Sequence, residues 1–345
     1  MEIVKCPNKL ELRESFKGYQ KDTSPNGEVY RATGRDNDVT LSVEDRRFID
    51  IMENGICKNA QGNWKMPLPF RSHNQSMPNN RGYALKQLSN LLQNLKRKPK
   101  MGKDYFDFMA KVLDKGHAAP IPPEEISPRK VPVRVWYLPH FGVYHPQKPD
   151  QIRVVFDSSA EYRGVSLNKE LLTGPDFMNS LVGVLFRFRR EDVAAMCDVE
   201  QMFHSFHVDP KHRDFLRFLW FKDNNPSQPI IEYRMTVHLF GNGPSPAVAT
   251  YGIRGTVEDS KECEPGVREF VTRNFYVDDG LVSRSTATGT IKLDRDTQTI
   301  LATANLRLHK VVSNSEAVME AFPTEDLAKD IRSLDLRHDE LPAQR

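Results

Sequence analysis

Two adjacent carboxylates, Asp278 and Asp279, sit between apolar flanks in Asn274-Phe275-Tyr276-Val277-Asp278-Asp279-Gly280-Leu281. Neighbouring anions at the tip of a strand hairpin repel one another and cost stability unless a cation lies between them, and a divalent metal is the direct remedy. Taken alone, Asp-Asp-Gly equally makes an ordinary hairpin turn. A third acid, Asp198, ends the apolar run Val193-Ala194-Ala195-Met196-Cys197-Asp198-Val199, 80 residues before the pair. An acid directly after a buried strand is exposed at the edge of its sheet, where it can meet carboxylates from a neighbouring hairpin; its alternative is to cap the helix that follows. Three carboxylates can hold two divalent ions about 4 Å apart, an arrangement that activates a hydroxyl nucleophile and stabilises a pyrophosphate leaving group.

Other residues fit around such a centre. Phe203 follows Asp198 by five residues, and a ring at that distance can lie beside the metals and block a 2′-hydroxyl; as an alternative it is one more core phenylalanine. In His238-Leu239-Phe240-Gly241-Asn242-Gly243-Pro244-Ser245-Pro246-Ala247, glycines precede a helix start, which lets backbone approach a base or sugar. Arg153, in Arg153-Val154-Val155-Phe156-Asp157, is a candidate triphosphate ligand, with Lys148 as a second cation. Lys310, near Ser313-Asn314, is a candidate proton donor to pyrophosphate or a plain surface lysine. His204, His207, His212 and His238 have no cysteine or carboxylate at ligand spacing to complete a zinc set.

The elements that must carry these residues read as follows. Leu85, Leu88, Leu92 and Leu95 recur at helical spacing, as do Tyr105, Phe108, Met109, Val112 and Leu113 before Gly116, which predicts an antiparallel helix pair. Between them, Lys96-Arg97-Lys98-Pro99-Lys100 with Lys103 reads as a solvated connector, with phosphate contact or a nuclear address as alternatives. The proline-rich stretch from Pro120 to Pro132 cannot hold a regular helix and reads as a second connector. Val133 to His145 and Ile152 to Phe156 are expected to form a hairpin, with Pro146-Gln147-Lys148-Pro149-Asp150 as its turn. Beyond it come a helix near Asn179 to Arg190, strands at Val193 to Val199, Phe215 to Phe221 and Ile230 to Met235, and a helix from Ser245. A hairpin centred on Val277-Asp278 and a helix from Ile291 to Ala304 follow. Strands and helices mixed without a strict βαβ rhythm predict an α+β fold with an antiparallel sheet and packed helices.

With 345 residues, 39% apolar, and a mean hydropathy of −0.57, the chain can bury a sizeable core in water. No stretch approaches the ~20 apolar residues of a membrane span, and Met1 to Lys9 lacks the apolar run of a secretory signal, so an intracellular protein without membrane partners is expected, cytoplasmic or nuclear. Cys6, Cys57, Cys197 and Cys263 stand far apart, which fits reduced thiols and no structural metal. A net charge of +3 says little about nucleic acid. Residues 1 to 60 show few periodic apolar positions and little sign of function.

Taken in order, Arg153-Val154-Val155-Phe156-Asp157, Asp198 with Phe203, Phe240-Gly241 with Ser245-Pro246-Ala247, and Tyr276-Val277-Asp278-Asp279 resemble the successive motifs of reverse transcriptases. The fuller wording, with Asp198-Val199-Glu200-Gln201-Met202-Phe203-His204, Val237-His238-Leu239-Phe240-Gly241 and Lys310 before Ser313-Asn314, is similar to the Bel-Pao family of LTR retrotransposons. So are Ser42-Val43-Glu44-Asp45, Met66-Pro67-Leu68-Pro69-Phe70 and Pro78-Asn79-Asn80-Arg81 upstream. The resemblance covers roughly residue 40 to the end and implies a fold of fingers and palm. It implies Asp198, Asp278 and Asp279 as catalytic residues and ligands of Mg²⁺ or Mn²⁺, with Val199 as a further metal position. Phe203 becomes the steric gate against ribonucleotides; Arg153, Phe240, Gly241 and Lys148 bind nucleotide, and Tyr276 and Val277 complete the acidic motif. Phe240 stands where retroviral enzymes carry glutamine. Ala304-Asn305-Leu306 lacks the glycines expected before the lysine, and Val311 replaces a tryptophan.

The implied organisation is an N-terminal extension at 1–60, a helical region with connector at 61–132, fingers at 133–192, palm at 193–315 and the start of a connection toward the thumb at 316–345. The chain stops at Arg345 before there is room for a thumb, so a polyprotein fragment or shortened reading frame is expected, with RNase H, integrase and protease as polyprotein partners. The implied activity is RNA-directed DNA synthesis from deoxynucleotides on an RNA or DNA template with primer. The alternatives are an RNA-copying RNA polymerase with the same palm, which Phe203 opposes, and a catalytically silent relic that binds nucleic acid.

Overall fold

The computed structural model describes residues 41–72, 77–126, 134–146 and 148–328. Residues 1–40 with Cys6, residues 73–76, the connector beyond residue 126 up to 133, Gln147, the Lys148 side chain and residues 329–345 lie outside the described residues, and with them the expectations placed there.

The first helix, α1 (Val43–Gly55), starts at a capping box. The Asp45 N–H donates to Ser42 Oγ (3.0 Å), and the Asp45 carboxylate accepts from the Ser42 N–H (3.2 Å). Phe48 and Met52, one turn apart, are fully buried, each contributing roughly 1.5–3 kcal/mol of apolar transfer. Strands β1 (Cys57–Lys58) and β2 (Trp64–Met66) follow as an antiparallel pair. Within the described residues 41–60, where few periodic apolar positions were expected, the chain is thus a capped helix and a short strand, and the capping box was the readable signal.

The expected helix pair is α2 (Arg81–Arg97) and α3 (Pro99–Asp114). Its buried stripe in α2 is Ala84, Leu88, Leu91 and Leu95, while Leu85 is exposed, because a 3.6-residue period drifts off a leucine-only reading. The basic cluster is exposed and spans the junction of the two helices, although most of it is itself helical. Lys96 and Arg97 close α2, where cations favour the helix dipole, Pro99 opens α3, and Lys98 alone joins them.

After β3 (Ala118–Pro120) comes the hairpin of β4 (His140–His145) and β5 (Lys148–Phe156). Strand β4 begins later than expected because Trp136 and Leu138 spend their main-chain groups on Asp214 and Arg217 instead. The turn is shorter too: His145 faces Lys148, so Pro149 and Asp150 belong to the strand. Two short helices, α4 (Leu167–Glu170) and α5 (Leu181–Phe188), lead to β6 (Val193–Val199) and β7 (His207–Val208). Residues 210–216 form a 3₁₀ turn, so β8 (Arg217–Phe221) starts after Phe215; β9 (Ile230–Met235) pairs with it. Then come α6 (Ser245–Asp259), α7 (Pro265–Arg273), β10 (Phe275–Tyr276), β11 (Asp279–Arg284), α8 (Ala287–Ala302), β12 (Leu308–Ser313) and α9 (Glu316–Glu320). Helix α8 begins four residues earlier than expected because Thr286 caps it, accepting from the Gly289 N–H at 3.1 Å.

Among the described residues the strands form four sheets, in the orders β10-β11-β6-β12, β3-β9-β8, β1-β2-β7 and β4-β5, antiparallel except for β2 with β7. The fold is α+β, with helices packed on antiparallel sheets. Two hydrophobic cores lie within residues 42–328. One gathers Phe48, Met52 and Trp64 with β6, α6, α7, α8 and β12; the other joins α2 and α3 to β8 and β9 around Trp136 and Trp220. Cys57, Cys197 and Cys263 are free thiols, and burial raises the Cys197 thiol well above its ordinary range. Among the described residues no helix is long and apolar enough to cross a membrane.

Candidate active site

Strand β6 is flanked by β11 and β12 and supplies the first acid. Ala195, Cys197 and Val199 point into the core, so the pleat turns Asp198 to the opposite face. In the ladder Asp279 stands directly across from Asp198, a pairing that brings Cα atoms within about 4.5–5.5 Å. Asp278 lies in the turn between β10 and β11, and its carbonyl accepts from the Val199 N–H at 3.0 Å. The three acids separated by 80 residues of chain therefore meet at one end of one sheet.

Two backbone features permit this. Val277 occupies the left-handed region with φ +58°, strained for a β-branched residue and concentrated where the acidic turn reverses. Gly280 has no room for a side chain: a Cβ there would lie 2.8 Å from Phe275 Cζ and 2.9 Å from Cys197 Sγ. Tyr276 pairs with Asp279 across the hairpin.

Charge crowding follows. Burial first, then Asp278 and Asp198, push the Asp279 carboxyl up to about 6, against the opposing pull of Lys310. The Asp278 carboxyl is raised as well, chiefly by burial. Asp198 alone is compensated: Lys310 Nζ donates to its Oδ2 at 2.7 Å, and His309 Nε2 lies 3.2 Å from its Oδ1. Among the described residues no group of three or more His, Cys, Asp or Glu side chains is arranged to hold a metal ion. The chemistry of the donor set nevertheless fits a hard divalent cation, since two crowded carboxylates beside a third are all oxygen donors in need of positive charge. Val199 is part of this frame through its main chain, between Asp278 and Leu308, with its side chain in the core.

The remaining candidates form a second cluster. Phe203 lies in the 3₁₀ turn Met202–Ser205, packs on the core and meets Phe240 edge to face, ring centroids 5.7 Å apart. Phe240 is 59% exposed, unusual for so large an apolar ring. Gly241 follows with φ +106° and approaches β5, where its missing Cβ would lie 3.6 Å from the Phe156 carbonyl and 4.0 Å from Val155 Cγ1. Asn168 pins the loop, donating to the Gly241 carbonyl (3.0 Å) and accepting from the Gly243 N–H (2.8 Å), and Ser158 hydrogen-bonds Asn242. Arg153 is exposed on β5, opposite Val143 and on the same strand face as Val155. The main chain of Lys148 starts β5.

Sequence reasoning passed over His309, Asn168 and Ser158, since nothing in their spacing marks a bulge or a loop anchor. The histidines do other work. His212 Nδ1 accepts from the Leu68 N–H (3.0 Å), His238 Nε2 lies 3.4 Å from the Met66 carbonyl, and His204 packs against His117. His117, His204 and His207 line a polar cavity of about 390 Å³ with Lys115, Glu200 and Arg307.

No protein-family model matches this sequence, and no curated protein is similar to it. Among solved structures, the chain is similar to the foamy viral protease-reverse transcriptase dRH in complex with ds DNA, at 17% identity and a TM-score of 0.42 over 57% of this chain and 28% of that one. It is also similar to the native Prototype Foamy Virus Protease-Reverse Transcriptase, at 15% identity and a TM-score of 0.45 over 76% of this chain and 29% of that one. The chain thus spans less than a third of the solved chains it matches.

Proposed function

We propose that this chain is the fingers and palm of an RNA-directed DNA polymerase from an LTR retrotransposon of the Bel-Pao type. The observation that carries the proposal is the ladder pairing of Asp198 with Asp279, with Asp278 tied to Val199 beside them. In this reading Asp198, Asp278 and Asp279 hold Mg²⁺, with Mn²⁺ as a substitute. Divalent ions there supply acidity to the primer 3′-hydroxyl and neutralise charge on the triphosphate.

The chain's own residues position the reactants. Arg153 pairs with the triphosphate, and Phe240 with Gly241 forms a floor for the incoming nucleotide. Phe203, seated against Phe240, excludes a 2′-hydroxyl. The 3′-hydroxyl gives up its proton to solvent as its oxygen bonds to the α-phosphorus, the bond from that phosphorus to the bridging oxygen breaks, and Lys310 protonates the departing pyrophosphate. The partners are a primed RNA or DNA template and deoxynucleotides inside the cell, with RNase H, integrase and protease encoded in the same polyprotein.

Primer extension on poly(rA)-oligo(dT) tests this. The wild type should incorporate dTTP and Asp278→Asn should not; equal incorporation by both would remove the assignment. Tight duplex binding with no extension by the wild type would turn the reading into that of a binding protein.

A further inference from the structure

Consecutive residues of a regular strand point to opposite faces, so His309 and Lys310 should not reach the same group. They do, because β12 bulges. Its register passes from His309 opposite Asp198 to Val312 opposite Met196, three steps on β12 against two on β6, and Lys310 takes a left-handed φ of +51°. The extra residue turns Lys310 onto the face of His309, and the two occupy both oxygens of Asp198. A bulge beside a candidate active site that re-aims a cation onto one acid of three is a specific device, and a lysine in left-handed backbone is an uncommon way to build it.

We propose that the Lys310 ammonium is a built-in placeholder for the divalent cation, holding Asp198 while no metal is bound and leaving it when metal arrives. This inference rests on the polymerase reading. Asp198 cannot give the same oxygen fully to an ammonium and to a metal, so the two cations compete. His309 stays on the other oxygen and keeps the carboxylate turned toward the hairpin. Displacement also has a product: the released ammonium, 56% exposed even when paired, becomes available for the leaving pyrophosphate. Metal loading and the freeing of the proton donor are then one event.

Mn²⁺ titration of the full chain, followed by the electron paramagnetic resonance of free Mn²⁺, reads the competition without any turnover. Lys310→Met should bind Mn²⁺ more tightly than the wild type, on the order of fivefold for removal of a partly exposed ion pair, and Lys310→Arg should stay close to the wild type. Lysine acetylation mapped by mass spectrometry supplies a second readout. Adding Mg²⁺ should speed labelling of Lys310 several-fold while leaving exposed Lys222 unchanged. Equal Mn²⁺ affinity in wild type and Lys310→Met, or Lys310 labelling indifferent to Mg²⁺ that does bind, would overturn the placeholder and spare the polymerase reading. No Mn²⁺ binding by any form would overturn both.

Discussion

The two hydrophobic cores treat buried charge in opposite ways. Around the α2/α3 core, Glu232 is buried and saturated: it accepts from Arg81 Nε (2.7 Å), Tyr137 Oη (2.7 Å) and Arg217 Nη1 (3.2 Å). Arg217 also reaches Asp214, and Arg234 bridges Asp214 to Glu125. The network is closed, and burial with Glu232 pushes the Tyr137 hydroxyl up to about 12. In the β6 core the acids stay open. Asp278 and Asp279 crowd each other, and the buried Asp294 on α8 has neither carboxylate oxygen hydrogen-bonded. Closed networks specify a fold, whereas open charge costs stability and marks where something else must bind.

The contrast can be broken or sharpened by substitution. Under the proposed function, Asp279→Asn should lower primer extension on the order of a thousandfold while raising the melting temperature, because it would remove a metal ligand together with a repulsion. Should the variant melt lower than the wild type, the open acids are not the strained element. In the closed network, Glu232→Ala takes from the buried Arg217 one of its two carboxylate partners, leaving Asp214, and should cost up to about 3 kcal/mol in denaturant unfolding; a loss under 1 kcal/mol would make the network ornamental.

Asp294 gives a pH signature. Burial raises its carboxyl from 3.8 to about 7. A group raised on folding contributes fully below the unfolded value, so stability should fall as pH climbs from about 4 to 7, by as much as roughly 4 kcal/mol. Asp294→Asn should flatten that segment of the stability profile, and identical profiles for the two proteins would show that the carboxyl finds a partner. The smallest effect is expected at Gly252, where a Cβ would lie 2.2 Å from Phe206 Cε1. Gly252→Ala should cost about 1–3 kcal/mol through overpacking, despite the better helix propensity of alanine. A gain in thermal stability would show that Phe206 moves aside freely.

Local pattern carried much of this molecule. Strand β6 follows its apolar run residue for residue, and the turn of the acidic hairpin sits where Val277-Asp278 predicts. The acids were legible because their spacing and flanks report a sheet end. The bulge at Lys310 was not, since a one-residue register shift depends on what β6 offers across the ladder. Helix α1 escaped notice because its fully buried residues are only Phe48 and Met52, with Ile49 and Ile51 partly buried beside them, and its capping box is the clearer signal. The leucine stripe of α2 misled because Ala84, a small residue, occupies a buried position that Leu85 was expected to fill.

Strand order has a consequence for synthesis on the ribosome. Strand β6 leaves the exit tunnel well before either of its neighbours exists: β11 begins at Asp279 and β12 at Leu308, whereas β6 ends at Val199. At translation rates of about 5–20 residues per second, the strand bearing the first acid waits roughly 4–16 s with both edges bare. Its apolar Val193-Ala194-Ala195-Met196-Cys197 stretch is then a template for pairing with another nascent chain. Yield of folded protein should therefore depend on chaperones that bind extended segments during that interval.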